Sequence, residues 1–230
     1  MDATTQVWLG WLLFGGTHTA LSHPPLRDRL VARFGDNGFL GLYSFVALAT
    51  FVPLCWGFFA SRIATPVPLP VLATIPGLAW LTMALMFVAL NLILLGFTSP
   101  NPVSALMDRA GGRAGSGAAG ALRITRHPAF MGIALAGLSH VLVNPAAIDR
   151  AFFGGMALYS VLGCAHQDWR RRRSGDAALA AFFAETSFLP FVAIATGRNR
   201  LVLRELRPLV LAAAAALYAA IFFLHHRIFA

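Results

Sequence analysis

Lysine is absent from this 230-residue sequence, and charged residues of either sign are scarce. All 18 basic residues are arginine, only nine residues are acidic, and charged residues make up 12% of the chain. A soluble domain usually carries about 25% charged residues. Together with a hydrophobic content of 58%, this scarcity predicts an integral membrane protein.

Cysteine is also rare, which excludes two further classes of protein. Cys55 and Cys164 each lie within an apolar run, so the chain has neither a disulfide framework nor a CxxC metal motif. The N-terminus lacks the positive leader and cleavage site of a signal peptide, and we therefore expect the first apolar run to be retained. The arginines lie between apolar runs, which favours loops beside a membrane over a nucleic-acid partner.

Six apolar segments approach the length of about 20 residues that a helix needs to cross a bilayer. They are residues 6–22, 38–60, 70–97, 129–148, 151–169 and 208–224. The sequence thus predicts an all-α, polytopic transmembrane helical bundle of about six spans, forming a single domain over residues 1–230.

The arginines are distributed unevenly among the predicted loops. Fifteen would lie on one side of the membrane, against three, Arg62, Arg150 and Arg227, on the other. Positive loops stay in the cytoplasm. This asymmetry predicts that both termini are non-cytoplasmic and, in a bacterium, that the chain resides in the inner membrane.

Residues 110–120 are rich in glycine and alanine and contain a formal GxGxxG motif between Gly115 and Gly120. No strand is predicted before the motif, and no βαβ unit surrounds it, so the dinucleotide-binding interpretation lacks its structural context. We interpret the segment as a flexible linker.

Two histidines, His18 and His140, lie several residues inside apolar spans. Ionisable groups at such depth are costly and mark functional sites by default. The structural alternative is an interhelical hydrogen bond, whereas the functional one is ligation of a metal or haem iron by neutral imidazole. Asn144, one helical turn beyond His140, and Asn91 in the third span are candidate supporting groups.

The depths of these two histidines differ. Counted from the inner ends of their spans, His18 and His140 are offset by roughly 8 Å at the helical rise of about 1.5 Å per residue. Helix tilt or a break near Gly15-Gly16 would close this gap. Otherwise His127, at the mouth of the fourth span, would compete as the partner of His18.

Several short motifs combine in one pattern. They are Arg123-Ile-Thr-Arg-His-Pro128, Gly132, Ser139-His140 with Asn144, Thr186-Ser-Phe-Leu-Pro-Phe, and Gly197-Arg-Asn-Arg-Leu201. On these motifs the chain resembles the NnrU family and, within it, the zeta-carotene isomerase branch. Arg126 and His127 in the first motif are interpreted as an anchor at the membrane border.

The resemblance implies a membrane protein that holds one b-type haem between two histidines, at positions matching His18 and His140. In the isomerase branch the substrate is a hydrophobic polyene, and reduction of the iron frees a coordination site. This chain departs from that branch at two places. Gly137 stands where the branch has a cysteine that can serve as an alternative ligand, and Tyr159-Ser160 stands where the branch has a pair of histidines. Bacterial members are associated instead with denitrification and nitric oxide metabolism, which implies a redox donor.

We therefore consider three functions, beginning with the one that the sequence favours most. The first is a haem protein of nitrogen-oxide or redox metabolism, and the second is a cis–trans isomerase of a polyene such as 15-cis-zeta-carotene. The third is an isoprenylcysteine-type membrane methyltransferase, which shares an Arg-His-Pro helix start followed by a helical hairpin. That class needs paired glutamates after the hairpin, and Gln167-Asp168 stands there instead.

Overall fold

The computed structural model describes residues 1–64, 75–103 and 117–229, and in these ranges the chain is helical without strands. The helices are α1 Ala3–Ser22, α2 Pro24–Ala64, α3 Leu78–Thr98, α4 Ala121–Ile124, α5 Pro128–Val143, α6 Ala147–Arg172, α7 Ala177–Glu185, α8 Val192–Ala195 and α9 Pro208–Phe229. A short 3₁₀ turn covers Leu203–Glu205. The prediction of an all-α fold is confirmed for this part of the chain.

Local capping and backbone geometry explain the first two helices. The Asp2 carboxylate accepts a hydrogen bond from the backbone N–H of Thr5, at 3.0 Å, and so satisfies a donor that the first turn of α1 leaves open. Pro24 begins α2, where a missing N–H is not needed. Gly35 then interrupts α2 with φ of 69° and ψ of 171°, in a region that glycine tolerates.

The early start of α2 corrects one prediction. We expected a loop before a span at residues 38–60, but the polar residues between Pro24 and Gly35 are helical. A search for apolar runs cannot detect such a helix, because its arginines and aspartate leave too little hydropathy.

The remaining predicted segments also contain helices, with shifted ends. α5 ends at Val143, before Ile148, because the residue preceding Pro145 is disfavoured in the helical region. α6 begins at Ala147 and is longer than the predicted 151–169. Residues 70–74 of the third predicted segment lie outside the described residues, as does the predicted linker up to residue 116.

Three of the described helices are long and apolar enough to cross a membrane, namely Pro24–Ala64, Leu78–Thr98 and Pro208–His225. α5 is apolar but shorter. The membrane class of the chain is therefore supported, whereas the number of six spans and the side of the termini stay predictions.

The described contacts group into two compact units. Unit 1 comprises residues 1–79 and 137–166, and unit 2 comprises residues 80–136 and 167–230. The core of unit 1 is built from buried side chains of α1, α2 and α6: Val7, Trp11, Phe14, Leu54, Phe58, Ala151 and Phe152. A core cluster of unit 2 contains Val103, Ala118, Leu122, Leu179, Phe182 and Phe183.

In unit 1, polar contacts join α6 to α1 and α2. The indole N–H of Trp11 donates to the carbonyl of Phe152 at 3.1 Å. Arg62, near the end of α2, pairs with the buried Asp149 in the first turn of α6 at 3.0 Å. The burial of this aspartate makes the pair costly to break.

Glycine permits a close helix approach in each unit. A Cβ atom on Gly137 of α5 would lie 2.6 Å from the carbonyl oxygen of Phe153 in α6. In unit 2, a Cβ atom on Gly132 would lie 2.6 Å from the carbonyl oxygen of Ala89 in α3. Small residues of this kind are typical of helix packing in membranes, since they let backbones approach.

We predict that Gly137→Ala lowers the stability of the protein by about 1–3 kcal/mol, because the added methyl group overlaps backbone that cannot move alone. Gly163→Ala in α6 is the control, since no heavy atom lies within 4 Å of its added Cβ, and alanine favours the helix. Thermal unfolding of the detergent-solubilised variants measures the difference. Equal midpoints for the two variants would contradict the packing.

Candidate functional site

The Arg-His-Pro segment of unit 2 lies between two helices. α4 ends at Ile124, Thr125 is extended, and Pro128 begins α5. Thr125, Arg126 and His127 are all buried, with 0%, 4% and 2% of their surfaces exposed. A buried arginine and histidine side by side require compensation by charge or hydrogen bonds.

Asp168 of α6 supplies that compensation. Its Oδ1 lies 2.7 Å from Nε2 of His127, and its Oδ2 lies 3.4 Å from Nη1 of Arg126. One buried carboxylate thus faces both side chains. Nε2 of His127 is engaged by this contact, so only Nδ1 of that ring is left for a ligand.

The backbone after α7 completes the surroundings of Arg126. Nη2 of Arg126 donates to the carbonyl of Thr186 at 3.0 Å, and its backbone N–H donates to the carbonyl of Ser187 at 2.9 Å. The Thr125 hydroxyl donates to the carbonyl of Phe188 at 2.7 Å. The Arg-His-Pro and Thr-Ser motifs are therefore in direct contact, although about 60 residues separate them in sequence.

Arg123 makes the equivalent link to the Gly-Arg-Asn-Arg motif. Its guanidinium donates to Asn199 Oδ1 at 2.8 Å and to both carboxylate oxygens of Glu205, at 2.7 and 2.9 Å. These hydrogen bonds lower the pKa of Glu205 from 4.5 to about 2 and raise the pKa of Arg123. The pair therefore stays ionised at neutral pH.

Arg126 nevertheless has unused hydrogen-bonding capacity. Among the described residues its Nε and Nη1 atoms, both buried, have no hydrogen-bond acceptor. The guanidinium lies 4.5 Å from the centre of the Phe183 ring, and Arg172 lies over the same ring at 4.1 Å. Burial lowers the pKa of Arg126, Asp168 raises it, and Arg172 and Arg198 lower it further.

In unit 1, His18 lies among aromatic rings. Its ring centre is 4.6 Å from that of Phe14, 4.4 Å from Tyr43 and 6.0 Å from Tyr159. Its Nδ1 atom is buried without a hydrogen-bond partner among the described residues. Since nearly all buried polar atoms have partners, this nitrogen needs an explanation.

His140, also in unit 1, stacks on Phe153 of α6 with ring centres 4.2 Å apart and 19° between the planes. Asn144 donates its side-chain N–H to the backbone carbonyl of His140 at 2.9 Å, so this contact is to main chain. Asn91 lies in unit 2 and donates to the carbonyl of Phe87 within its own helix.

A second histidine pair in unit 1 was not predicted. Nδ1 of His23 and Nε2 of His166 are 3.3 Å apart, and their rings are stacked with centres separated by 5.6 Å. In the described ranges, no three His, Cys, Asp or Glu side chains gather as a metal-binding group. A haem held by two histidines does not need such a group.

Comparison with known families agrees with the motifs. Residues 6–230 match the family model described as NnrU protein. The chain belongs to the NnrU family. No curated protein and no solved structure matched the chain.

The motifs that resemble the NnrU family contact one another in unit 2. The Arg-Ile-Thr-Arg-His-Pro segment, the Thr-Ser segment and Asn199, on which the resemblance rested, are joined by the hydrogen bonds of Thr125, Arg126 and Arg123. In this NnrU chain these motifs build one polar cluster. Asp168, which belongs to none of the quoted motifs, carries its central negative charge.

We predict that Asp168→Asn destabilises the protein by about 3 kcal/mol, because it leaves the buried Arg126 without its counter-charge. Asp28→Asn is the matched control, since Asp28 is exposed and its pair with Arg27 spans 3.6 Å. Loss of an exposed pair costs less than about 1 kcal/mol. Unfolding in detergent measures both variants, and comparable losses would refute a central role for Asp168.

Proposed function

We propose that this NnrU protein is an integral membrane haem protein in which His18 and His140 would hold one b-type haem. We further propose that it serves nitrogen-oxide or redox metabolism, as its family resemblance implies. The observation that carries the proposal is the buried Nδ1 of His18, which has no hydrogen-bond partner among the described residues. A bound haem would supply a one-electron redox couple.

The surroundings of His18 suit a neutral imidazole. Its ring contacts are aromatic, with Phe14, Tyr43 and Tyr159, and an apolar environment disfavours the charged form. Metal ligation requires the neutral form. A buried ring nitrogen without a protein partner supports the assignment of His18 as a ligand.

The packing of His140 is compatible with the same role. Phe153 covers a face of the imidazole, whereas the nitrogen lone pairs used in ligation lie in the plane of the ring. Stacking therefore orients the ring. Asn144 binds the backbone carbonyl of His140 and so contributes to the helix end.

The two imidazoles contact α6 at different levels. Phe153 and Tyr159 are six residues apart, which is about 9 Å along a helix axis and about 120° around it. By contrast, Nδ1 of His23 and Nε2 of His166 contact each other directly at 3.3 Å.

The alternatives have weaker support. At Gly137, where the isomerase branch has its alternative cysteine ligand, an added Cβ would lie 2.6 Å from the Phe153 carbonyl oxygen, which argues against ligand switching at this position. For the methyltransferase, Gln167 donates to the carbonyl of Val103, and Asp168 pairs with Arg126 and His127. Neither side chain replaces a free glutamate.

The proposed setting is the bacterial inner membrane, with six spans and both termini outside the cytoplasm. Fifteen of the 18 arginines lie on one side of such an arrangement, as the positive-inside rule requires. Three helices already have the length and composition of spans.

We predict that His18→Ala and His140→Ala each lower haem affinity at least about tenfold, since changes merely adjacent to metal ligands cost about 10–100-fold. The haem-to-protein ratio after purification from haem-replete cells measures the loss. Free imidazole should restore binding to either variant if the loss is one of ligation and not of folding.

His225→Ala is the control, because His225 lies exposed near the end of α9, and it should retain haem. His127→Ala tests the competing assignment. Loss of haem in His127→Ala together with retention in His140→Ala would show that the proposed ligand pair is wrong.

A further inference from the structure

A cavity of about 530 Å³ lies in unit 2, apart from the contacts of Asp168. It is formed by the end of α6, the turn to α7, α7 itself and the segment after α8. Three of its lining residues are arginines, Arg171, Arg172 and Arg198, and one is an acid, Asp176. Leu179 and Phe183, both buried, contribute an apolar wall.

The three arginines of this cavity differ in their contacts. Arg171 donates to the carbonyl of Val103, and Arg198 donates to the carbonyls of Ala184 and Thr186. The Asp176 carboxylate accepts hydrogen bonds from the backbone N–H groups of Ala178 and Leu179 and is therefore committed to capping α7. Arg172 has, among the described residues, no hydrogen bond or ion pair, and its one polar contact is with the Phe183 ring. An anion with several oxygens would accept hydrogen bonds from the Arg172 guanidinium.

Arg126 supplies an independent observation. It stacks on Phe183, a wall residue of the cavity, and is itself 96% buried, given its 4% exposure. Its Nε and Nη1 lack hydrogen-bond acceptors, and Arg172 and Arg198 are near enough to lower its pKa. Arg126 and Arg172 thus lie over one ring, and Asp168 is the buried counter-charge of Arg126.

Neighbouring residues indicate where the cavity lies relative to a membrane. Trp169, exposed near the end of α6, is of the residue type that marks a membrane–water interface. Arg172 follows it by three residues, or about 4.5 Å of helix. The segment that carries Arg198 also exposes Leu189, Phe191 and Leu203.

Phe191 adds a constraint on this exposed apolar segment. It has a φ of 65°, a conformation that a bulky residue rarely adopts, and its backbone N–H donates to the carbonyl of Ile124 at 2.8 Å. The backbone is thus fixed in a strained form that leaves an aromatic side chain exposed. Apolar side chains beside arginines suit the boundary between lipid tails and headgroups.

We propose that the cavity lined by Arg171, Arg172 and Arg198 binds the phosphate group of an anionic phospholipid. The guanidinium groups contact the phosphate oxygens, and the exposed apolar residues contact the acyl chains. Basic pockets at the ends of membrane helices bind anionic headgroups in this manner. The proposal depends on the membrane location of the chain and not on haem.

The test measures lipid binding to the full-length chain in neutral detergent by native mass spectrometry. Short-chain phosphatidylglycerol should bind at least about tenfold more tightly than phosphatidylcholine, and Arg172→Gln with Arg198→Gln should remove that preference. Arg29→Gln with Arg33→Gln is the control of equal charge. Both of its arginines are exposed, and Arg33 likewise lies over a phenylalanine ring.

Three outcomes would overturn the proposal: no preference for phosphatidylglycerol, an equal loss in the control variant, or displacement of the lipid by millimolar inorganic phosphate. The last would identify a site for free phosphate. Haem content measured on the same samples separates the two proposals, because a haem-free protein that keeps its lipid preference overturns the haem assignment alone.

Discussion

The carboxylate of Asp168 is the contact on which the motif-bearing part of unit 2 depends. It faces His127 and Arg126. Burying these two ionisable side chains without a counter-charge would cost free energy. Arg126 in turn holds the backbone of Thr186 and Ser187. Removing the carboxylate would leave a buried cation beside backbone carbonyls already in use, so the α5 start and the segment after α7 would lose their common support.

Elsewhere in the part of the chain that the structure describes, two more acidic side chains have arginine partners. Asp149 has Arg62, and Glu205 has Arg123. Four buried polar atoms nevertheless lack a hydrogen-bond partner among the described residues: Nδ1 of His18, Nε and Nη1 of Arg126, and Oδ2 of Asp149. A neutral imidazole among aromatic rings suits a metal. Open guanidinium nitrogens near a second arginine, Arg172, suit an anion. The His18 and Arg126 atoms support the haem and phospholipid proposals respectively.

The positions of the helices were largely predictable, because an apolar run of about 20 residues has few other solutions in a membrane. The polar helix that begins at Pro24 was not, since its sequence has no apolar run. The end of α5 at Val143 could be predicted from the sequence, because Pro145 disfavours a helical conformation at the residue before it.

The partner of the Arg-His-Pro segment was harder to find. Asp168 lies two residues after His166 in α6, and residues two apart on a helix do not face each other. Asp168 pairs instead with His127, 41 residues away, and His166 with His23. The depth of His18 and His140 was evident from their apolar surroundings, whereas the aromatic contacts of each ring required the fold.

An absorption spectrum of the detergent-purified protein, oxidised and then reduced with dithionite, tests the central claim most directly. Haem iron between two histidines predicts a sharp Soret band and, on reduction, resolved α and β bands. A colourless protein from haem-replete cells would contradict the assignment of His18 and His140 as haem ligands.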